Sequence, residues 1–395
     1  MREGWTYKKL GEVATYVADG DWIESKDQSD DGIRLIQTGN IGNGVFRLKE
    51  DKPHYISKET FSRIGCNEIF EGDCLISRLP DPIGRACVIP NLGCRMITAV
   101  DCSIIRFDEN YLSQFFVYYS QSSKYRIGIN NNTTGSTRKR ISRKNLENIL
   151  IPILPLSEQQ SIVAELDKIN ELISLKKTQL SDLDSLAQSI FYDMFGDPIE
   201  NEKGWEEGKM GEYCTITSSK RIFANEYCEE GVPFYRGKEI TELSKDLPIS
   251  IELYISQSRY EEIKRDYGIP AIGDILITAV GTIGNIWVVN DNSPFYFKDG
   301  NIVWVKDIKG FDPGFFKTIL TIQISAYKHE MAQGCAYNAL TIVNLKKMKV
   351  LLPPLPLQQE FAKRIELIEQ QKAQISSTIK DLETLLASRM QYWFD

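Results

Sequence analysis

Between Ser136 and Lys144 the chain carries five cations, Arg138, Lys139, Arg140, Arg143 and Lys144, and no acid. Guanidinium and ammonium groups at that density neutralise several phosphates at once. Ser136 and Thr137 beside them suit donation to phosphates or base edges. The same composition also suits a solvated basic loop. Other cations adjoin turns singly: Arg78 and Arg85 flank one in the first half, and Arg236 and Lys238 follow a strand in the second. The second-half counterpart of the basic stretch, 333–338, lacks the cluster and offers Tyr337 as its candidate contact. Positive charge resumes at Lys346, Lys347 and Lys349.

Residues for catalysis are not found in recognisable spacing. No Walker A sequence occurs, because Gly231 to Lys238 has the wrong spacing and runs into Glu239. GxSxG, HExxH and the Asn/Asp-Pro-Pro-aromatic tetrad of amino methyltransferases do not occur either. Gly281-Thr282-Ile283-Gly284 lies between two predicted strands and reads as a hairpin turn in place of a phosphate loop. Asp73 and Asp274 follow glycines and read as turn residues. Two histidines, His54 and His329, and eight cysteines without a CxxC pair make a zinc site improbable. No catalytic residue, metal or cofactor is expected. The thiol pattern, the lack of a membrane-length apolar run and the polar start point to a cytoplasmic protein. A net charge of −7 does not exclude DNA, since a local basic surface matters more than the total.

The elements that must position these residues come in two copies. Gly4-Trp5 recurs as Gly204-Trp205, Gly72-Asp73 as Gly273-Asp274, Ile83-Gly84 as Ile283-Gly284 and Asn145-Leu146 as Asn344-Leu345. Each copy ends in a long heptad pattern. In the first, Ile162, Leu166, Ile169, Ile173, Leu180 and Leu183 alternate in steps of three and four, broken by Lys176. In the second, Ile365, Ile368, Ile375, Ile379, Leu382 and Leu386 keep the register, broken by Lys372 and Arg389. A period of 3.5 predicts two coiled-coil helices. The first is expected from Leu156 to the Gly196–Pro198 stop. At ~1.5 Å per residue it is about 50 Å long, and the short link after it favours antiparallel packing, with one globular domain at each end. The expected boundaries are 1–153 and 204–352 for two mixed α/β domains, with helices at 154–196 and 353–395. The fold class is α+β. Strands are predicted at Gly32–Ile36, Cys74–Ser77, Arg85–Pro90 and Cys102–Phe107, a helix at Tyr111–Ser122 and a loop over 130–137.

With its motifs assembled, the chain resembles the specificity subunits of bacterial type I restriction-modification systems. The resemblance covers the whole length. It rests on Pro155-Leu156-Ser157-Glu158-Gln159-Gln160 and Pro354-Leu355-Pro356-Leu357-Gln358-Gln359, each opening a heptad helix, on Gly-Asp-x-Leu-Ile-Ser/Thr in each half, and on Gly135-Ser136-Thr137. The second half departs from the family at Gly334-Cys335-Ala336. The resemblance implies two target recognition domains, each reading half of a split double-stranded DNA sequence. It also implies helices that bind two methyltransferase subunits, with helicase-nuclease restriction subunits joining that core. The S-adenosylmethionine and ATP sites would then lie in those partners. The rival reading of the residues is a non-catalytic coiled-coil scaffold carrying two protein- or glycan-binding modules.

Overall fold

The computed structural model describes residues 4–135, 139–245, 247–332 and 340–395, with 330–332 described by backbone alone. The candidates Ser136, Thr137, Arg138 and Tyr337 lie outside the described residues. Two compact units divide the chain: Met1–Thr178 with Ser376–Asp395, and Gln179–Ile375. Each long helix therefore contributes one half to each unit.

In the first unit four antiparallel strands lie in the order Ala14–Asp19, Cys102–Phe107, Cys74–Ser77, Ala86–Val88. Cys74–Ser77 and most of Cys102–Phe107 are buried on both faces, which explains why both read as continuous apolar runs without alternation. Phe115, Phe116, Tyr125 and Ile129 pack on one face of this sheet with Cys74, Ile76 and Ile105. Leu75, Cys87 and Ile104 face a five-stranded sheet that includes Ile33–Ile36 and Met96–Thr98. Thr6–Lys9 pairs with Leu150–Ile153 and ties the start of the domain to its exit.

The structure differs from the expected elements in three places. The expected helix over Tyr111–Ser122 is confined to Ser113–Tyr119, and a second helix, Ser123–Asn131, runs into the segment read as loop. The Ser122 hydroxyl caps that second helix by accepting from the Tyr125 amide (3.2 Å), and Tyr125 and Ile129, one turn apart, are fully buried. Tertiary burial thus overrides a stretch whose Gly, Asn and Ile content is poor for helix. The strand expected at Arg85–Pro90 occupies only Ala86–Val88.

The second unit repeats the frame. Its sheet runs Thr215–Thr217, Ile302–Lys306, Ile275–Thr278, Ile286–Val288, with Leu276 opposite Trp304. A single 20-residue helix, Pro313–Ala332, stands where the first unit has two short ones. Its Phe315, Phe316, Ile319 and Leu320 fill the core against Ile275, Ile277 and Val305.

The long helices span Leu156–Phe195 and Leu355–Phe394, 40 residues each. Gly196 stops the first in left-handed backbone (φ 74°), its amide bonded to the Tyr192 carbonyl (2.8 Å). In the first unit Lys177 pairs with Glu383 (3.0 Å) and Glu165 with Arg389. In the second, Asp184 pairs with Lys372 (2.8 Å), while Phe191 and Phe195 meet Phe361 edge-on. Rising numbers meet falling ones in both, so the helices are antiparallel. All twelve predicted seam residues are buried or half-buried, among them Ile162, Leu166, Ile169, Ile173, Ile368, Ile375 and Ile379. Lys372 breaks the apolar seam and is half-buried, but Asp184 and Glu369 (3.0 Å) satisfy its ammonium.

Candidate nucleic-acid interface

The basic stretch of the first unit is held by a small hairpin. Thr133–Thr134 pairs with Arg140–Ile141, so Arg140 lies in the ladder and Lys139 directly precedes it. Ile141 is fully buried and its amide donates to the Arg78 carbonyl (3.3 Å), so the hairpin is fastened to the turn after Cys74–Ser77. Ser142 then caps the helix Arg143–Glu147 through the Asn145 amide (3.2 Å), and Asn145 Nδ2 reaches back to the Asn132 carbonyl (2.9 Å). Lys139, Arg140, Arg143 and Lys144 are all exposed on this frame. Arg140 stands 3.6 Å from Asp101 and Arg143 3.4 Å from Glu147, both solvent-facing pairs worth little in water. Lys139 and Lys144 make no ion pair among the described residues.

Arg78 and Arg85, expected beside the turn as surface contacts, are buried, with 4% and 7% of their surface exposed. Arg78 donates to Asp19 (3.2 Å) and to the Val100 carbonyl (2.6 Å). Arg85 spends its guanidinium on the carbonyls of Ile41, Leu79, Pro82 and Thr38, at 2.6 to 3.1 Å. Burial pulls its pKa below the usual arginine value. A guanidinium with four carbonyl partners braces the turn against the Thr38–Ile41 loop and has no donor face to offer a phosphate.

In the second unit Lys238 is exposed and Arg236 half-buried, and both are claimed by Glu252, at 2.7 Å each, Arg236 also by Glu239 (2.9 Å). The Lys238 ammonium and then the Arg236 guanidinium hold the Glu252 carboxyl down to about 2. Asp73 and Asp274 serve their turns: each accepts from the amide three residues before it, Phe70 and Ala271, both at 2.9 Å. Asp73 also pairs with Arg106 (2.7 Å) and Asp274 accepts from Trp304 Nε1 (2.8 Å). The buried thiols are poor nucleophiles, since burial pushes Cys87, Cys102 and Cys214 up to about 12.

One pair of residues is set more firmly than their motif suggested. Gln159 is fully buried, its Oε1 accepting from the Leu112 amide (2.9 Å) and its Nε2 donating to the Asn110 and Leu154 carbonyls (3.0 and 2.9 Å). Gln358 does the same in the other unit, with the Asp312 amide (2.9 Å) and the Gly310 and Pro353 carbonyls (3.1 and 2.8 Å). An amide side chain both accepts and donates, so it alone among side chains of this size can close both halves of such a loop. Each glutamine locks the first turn of a long helix to the domain before it. The repeated Gln-Gln was legible; the loop it clamps, 47 residues upstream, was not.

Comparison with known proteins agrees with this architecture. A putative type I restriction enzyme specificity subunit of Haemophilus influenzae is 31% identical over 245 residues, 60% of this chain and 60% of that protein. A putative specificity subunit of Methanocaldococcus jannaschii is 21% identical over 97% of this chain and 93% of its own length. Among solved structures, a chain of a type I R-M system aligns with a TM-score of 0.60 at 20% identity, over 100% of this chain and 98% of that one. The S subunit of a type I system from M. genitalium aligns with a TM-score of 0.55 at 15% identity, covering 99% and 96%. The type I restriction modification DNA specificity domain matches twice, over residues 2–184 and 202–384. This chain, a tandem repeat of that domain, belongs to the type I restriction-modification specificity family.

Proposed function

We propose that the chain is the non-catalytic DNA-recognition subunit of a type I restriction-modification complex. Its globular domains, 1–153 and 204–352, each read one half of a bipartite, asymmetric target in double-stranded DNA. The helical segments 154–196 and 353–395 dock two methyltransferase subunits, and restriction subunits join that core in the cytoplasm. Cations of the basic hairpin, Arg138, Lys139, Arg140, Arg143 and Lys144, set the first domain on phosphates while Ser136 and Thr137 reach base edges.

The observation that carries this reading is a frame kept twice under surfaces that differ. The sheet order, the terminal ladder and the glutamine clamp recur in both units. The exposed residues do not: Pro80-Asp81-Pro82 in one turn answers to Gly281-Thr282 in the other. Two different readers on one duplicated scaffold suit two different half-sites. Docking through the helices is supported by leucines that lie off the buried seam. Leu172, Leu175 and Leu186 on the first helix and Leu367 and Leu385 on the second are 39 to 60% exposed. Exposed leucines repeated along a helix call for an apolar partner.

The test is co-purification with methyltransferase subunits, followed by sequencing of methylated bases in genomes with and without the gene. A split motif that disappears with the gene is the expected result. No complex and no change in methylation would overturn the reading.

A further inference from the structure

The counterpart stretch 333–338 in the second domain lacks the basic cluster, yet that domain must hold DNA if it reads a half-site. The geometry points to a replacement: we propose that the hairpin turn Val280–Ile283, with Lys245 and Lys328 beside it, is a binding site for a backbone phosphate of DNA. This rests on the DNA-recognition reading above.

Three observations converge. The first is the shape of the turn. The Thr282 carbonyl is drawn inward by the Thr278 hydroxyl and by Asn285 Nδ2 (3.0 Å), and the Asn285 amide donates to Thr278 Oγ1 (3.0 Å). In a trans peptide the following N–H points the opposite way, so the Ile283 amide is turned off the ladder. The amides of Val280, Gly281, Thr282 and Ile283 have no hydrogen-bond partner among the described residues. Gly281 adopts φ 77°, and a Cβ built there would meet nothing within 4 Å, so the backbone is open to an approaching group. Successive unbonded amides in such a turn form an anion-binding concavity.

The second observation is charge. Thr241, Lys245, Thr282, Asn285 and Lys328 line a depression of about 420 Å³ over this turn. Lys245 and Lys328 are exposed and form no ion pair among the described residues. They contrast with Arg236 and Lys238, which Glu252 neutralises. The Lys328 stem passes Gly284, its Cδ 3.4 Å from where a Cβ would stand. The Thr241 and Thr282 hydroxyls meet at 3.1 Å, and Asn285 Nδ2 donates to Thr241 (3.0 Å), which fixes the rim. A rim already ordered costs little further entropy on binding.

The third is the contrast between the repeats. The same turn in the first domain reads Pro80-Asp81-Pro82. Two prolines remove two amides, and an exposed aspartate repels an anion. The repeat whose sequence has the basic cluster has a closed turn, and the repeat whose sequence lacks it has an open one. Each domain thus carries one phosphate device, on different elements of the shared frame.

The experiment uses the full-length chain assembled with its methyltransferase subunits. DNA affinity is measured against salt for the wild type, Lys245→Gln, Lys328→Gln, the double variant and Lys328→Arg. One neutralised phosphate contributes about 0.9 to the steepness of log K against log salt, so the double variant should lose about 1 unit, with each single variant losing part of it. Lys328→Arg should keep the wild-type slope, and the preferred sequence should not change. Inorganic phosphate is titrated alone in parallel. Slopes unchanged by the glutamine variants would overturn the proposal while leaving DNA recognition intact. Tight binding of free phosphate with unchanged DNA slopes would make this a small-anion site and overturn it also. A wild-type complex with no DNA affinity would overturn the recognition reading itself, and thermal melts separate any loss of fold.

Discussion

Glu165 and Arg389, 224 residues apart in the chain, form a two-point ion pair between the long helices of the first unit, with Arg389 Nη2 3.1 Å from Glu165 Oε2. Trp393 Nε1 donates to the same oxygen (3.1 Å), and the guanidinium lies 4.5 Å from the Tyr392 ring centre. The arginine that looked like a flaw in the heptad seam is a cross-helix lock. Both side chains are about a third exposed, so water screens the pair and a double-mutant cycle should give about 1 kcal/mol. The hydrogen bond from Arg389 holds the Glu165 carboxyl below its usual 4.5. A depressed carboxylate stabilises the fold above the unfolded value and loses that contribution as pH falls through the folded one. Glu165→Gln should therefore lower the urea midpoint at pH 7, with the gap narrowing as pH falls below 4.5. A gap that does not narrow at all as the solution is acidified would rule out this pair as its source.

Gln159→Ala removes one acceptor and two donors from a buried site and strands the Leu112 amide with the Asn110 and Leu154 carbonyls. Unsatisfied buried groups cost about 1–3 kcal/mol each, with part recovered by water, so a loss of about 3 kcal/mol is expected. Gln358→Ala should cost about the same. Urea unfolding of the full chain measures both. A midpoint within error of wild type would mean that the glutamines are bystanders to the docking of their helices.

The parts of the fold that were legible are those written in local pattern. The seam from Ile162 and its copy from Ile365 marked out two long helices, because heptad periodicity repeats the same information many times. Cys74–Ser77 and Cys102–Phe107 appear at their predicted ends, since buried central strands need unbroken apolar runs. The helix Ser123–Asn131 was missed because its stability comes from Tyr125 and Ile129 entering a core assembled from distant residues. Site residues were less legible for the same reason. Arg85 and Lys139 look alike in sequence; only tertiary structure says that one is buried under four carbonyls and the other faces solvent. Lys245 and Lys328 come together only across the folded domain.

Among the basic hairpin residues, Lys139 and Lys144 lack described ion partners, whereas Arg140 and Arg143 must release weak ones. Neutralising Lys139 and Arg140 together should weaken DNA binding and reduce its salt slope by about 2. Affinity should fall about equally for target and non-target DNA, because phosphate contacts position without specifying. Filter binding or fluorescence anisotropy over a salt series measures this. An unchanged slope would remove the hairpin from the interface.

Both long helices cross from one compact unit to the other, the first at Thr178–Gln179 and the second at Ile375–Ser376. Inserting one heptad after Gln179 and a matching one after Ile375 keeps the antiparallel seam in register and adds about 10 Å of helix. Recognition by separable domains then requires the methylated motif to keep both half-sites while its unspecified gap grows by about 3 base pairs, at 3.4 Å per step. A heptad in one helix alone shifts the seam by two turns, pulls Lys177 from Glu383 or Lys372 from Asp184, and should destabilise the chain. Sequencing of methylated bases reads the gap directly. Loss of both half-sites from a doubly extended chain that still folds would mean that the domains do not read DNA independently. The helices would then be part of the reader and not its spacer.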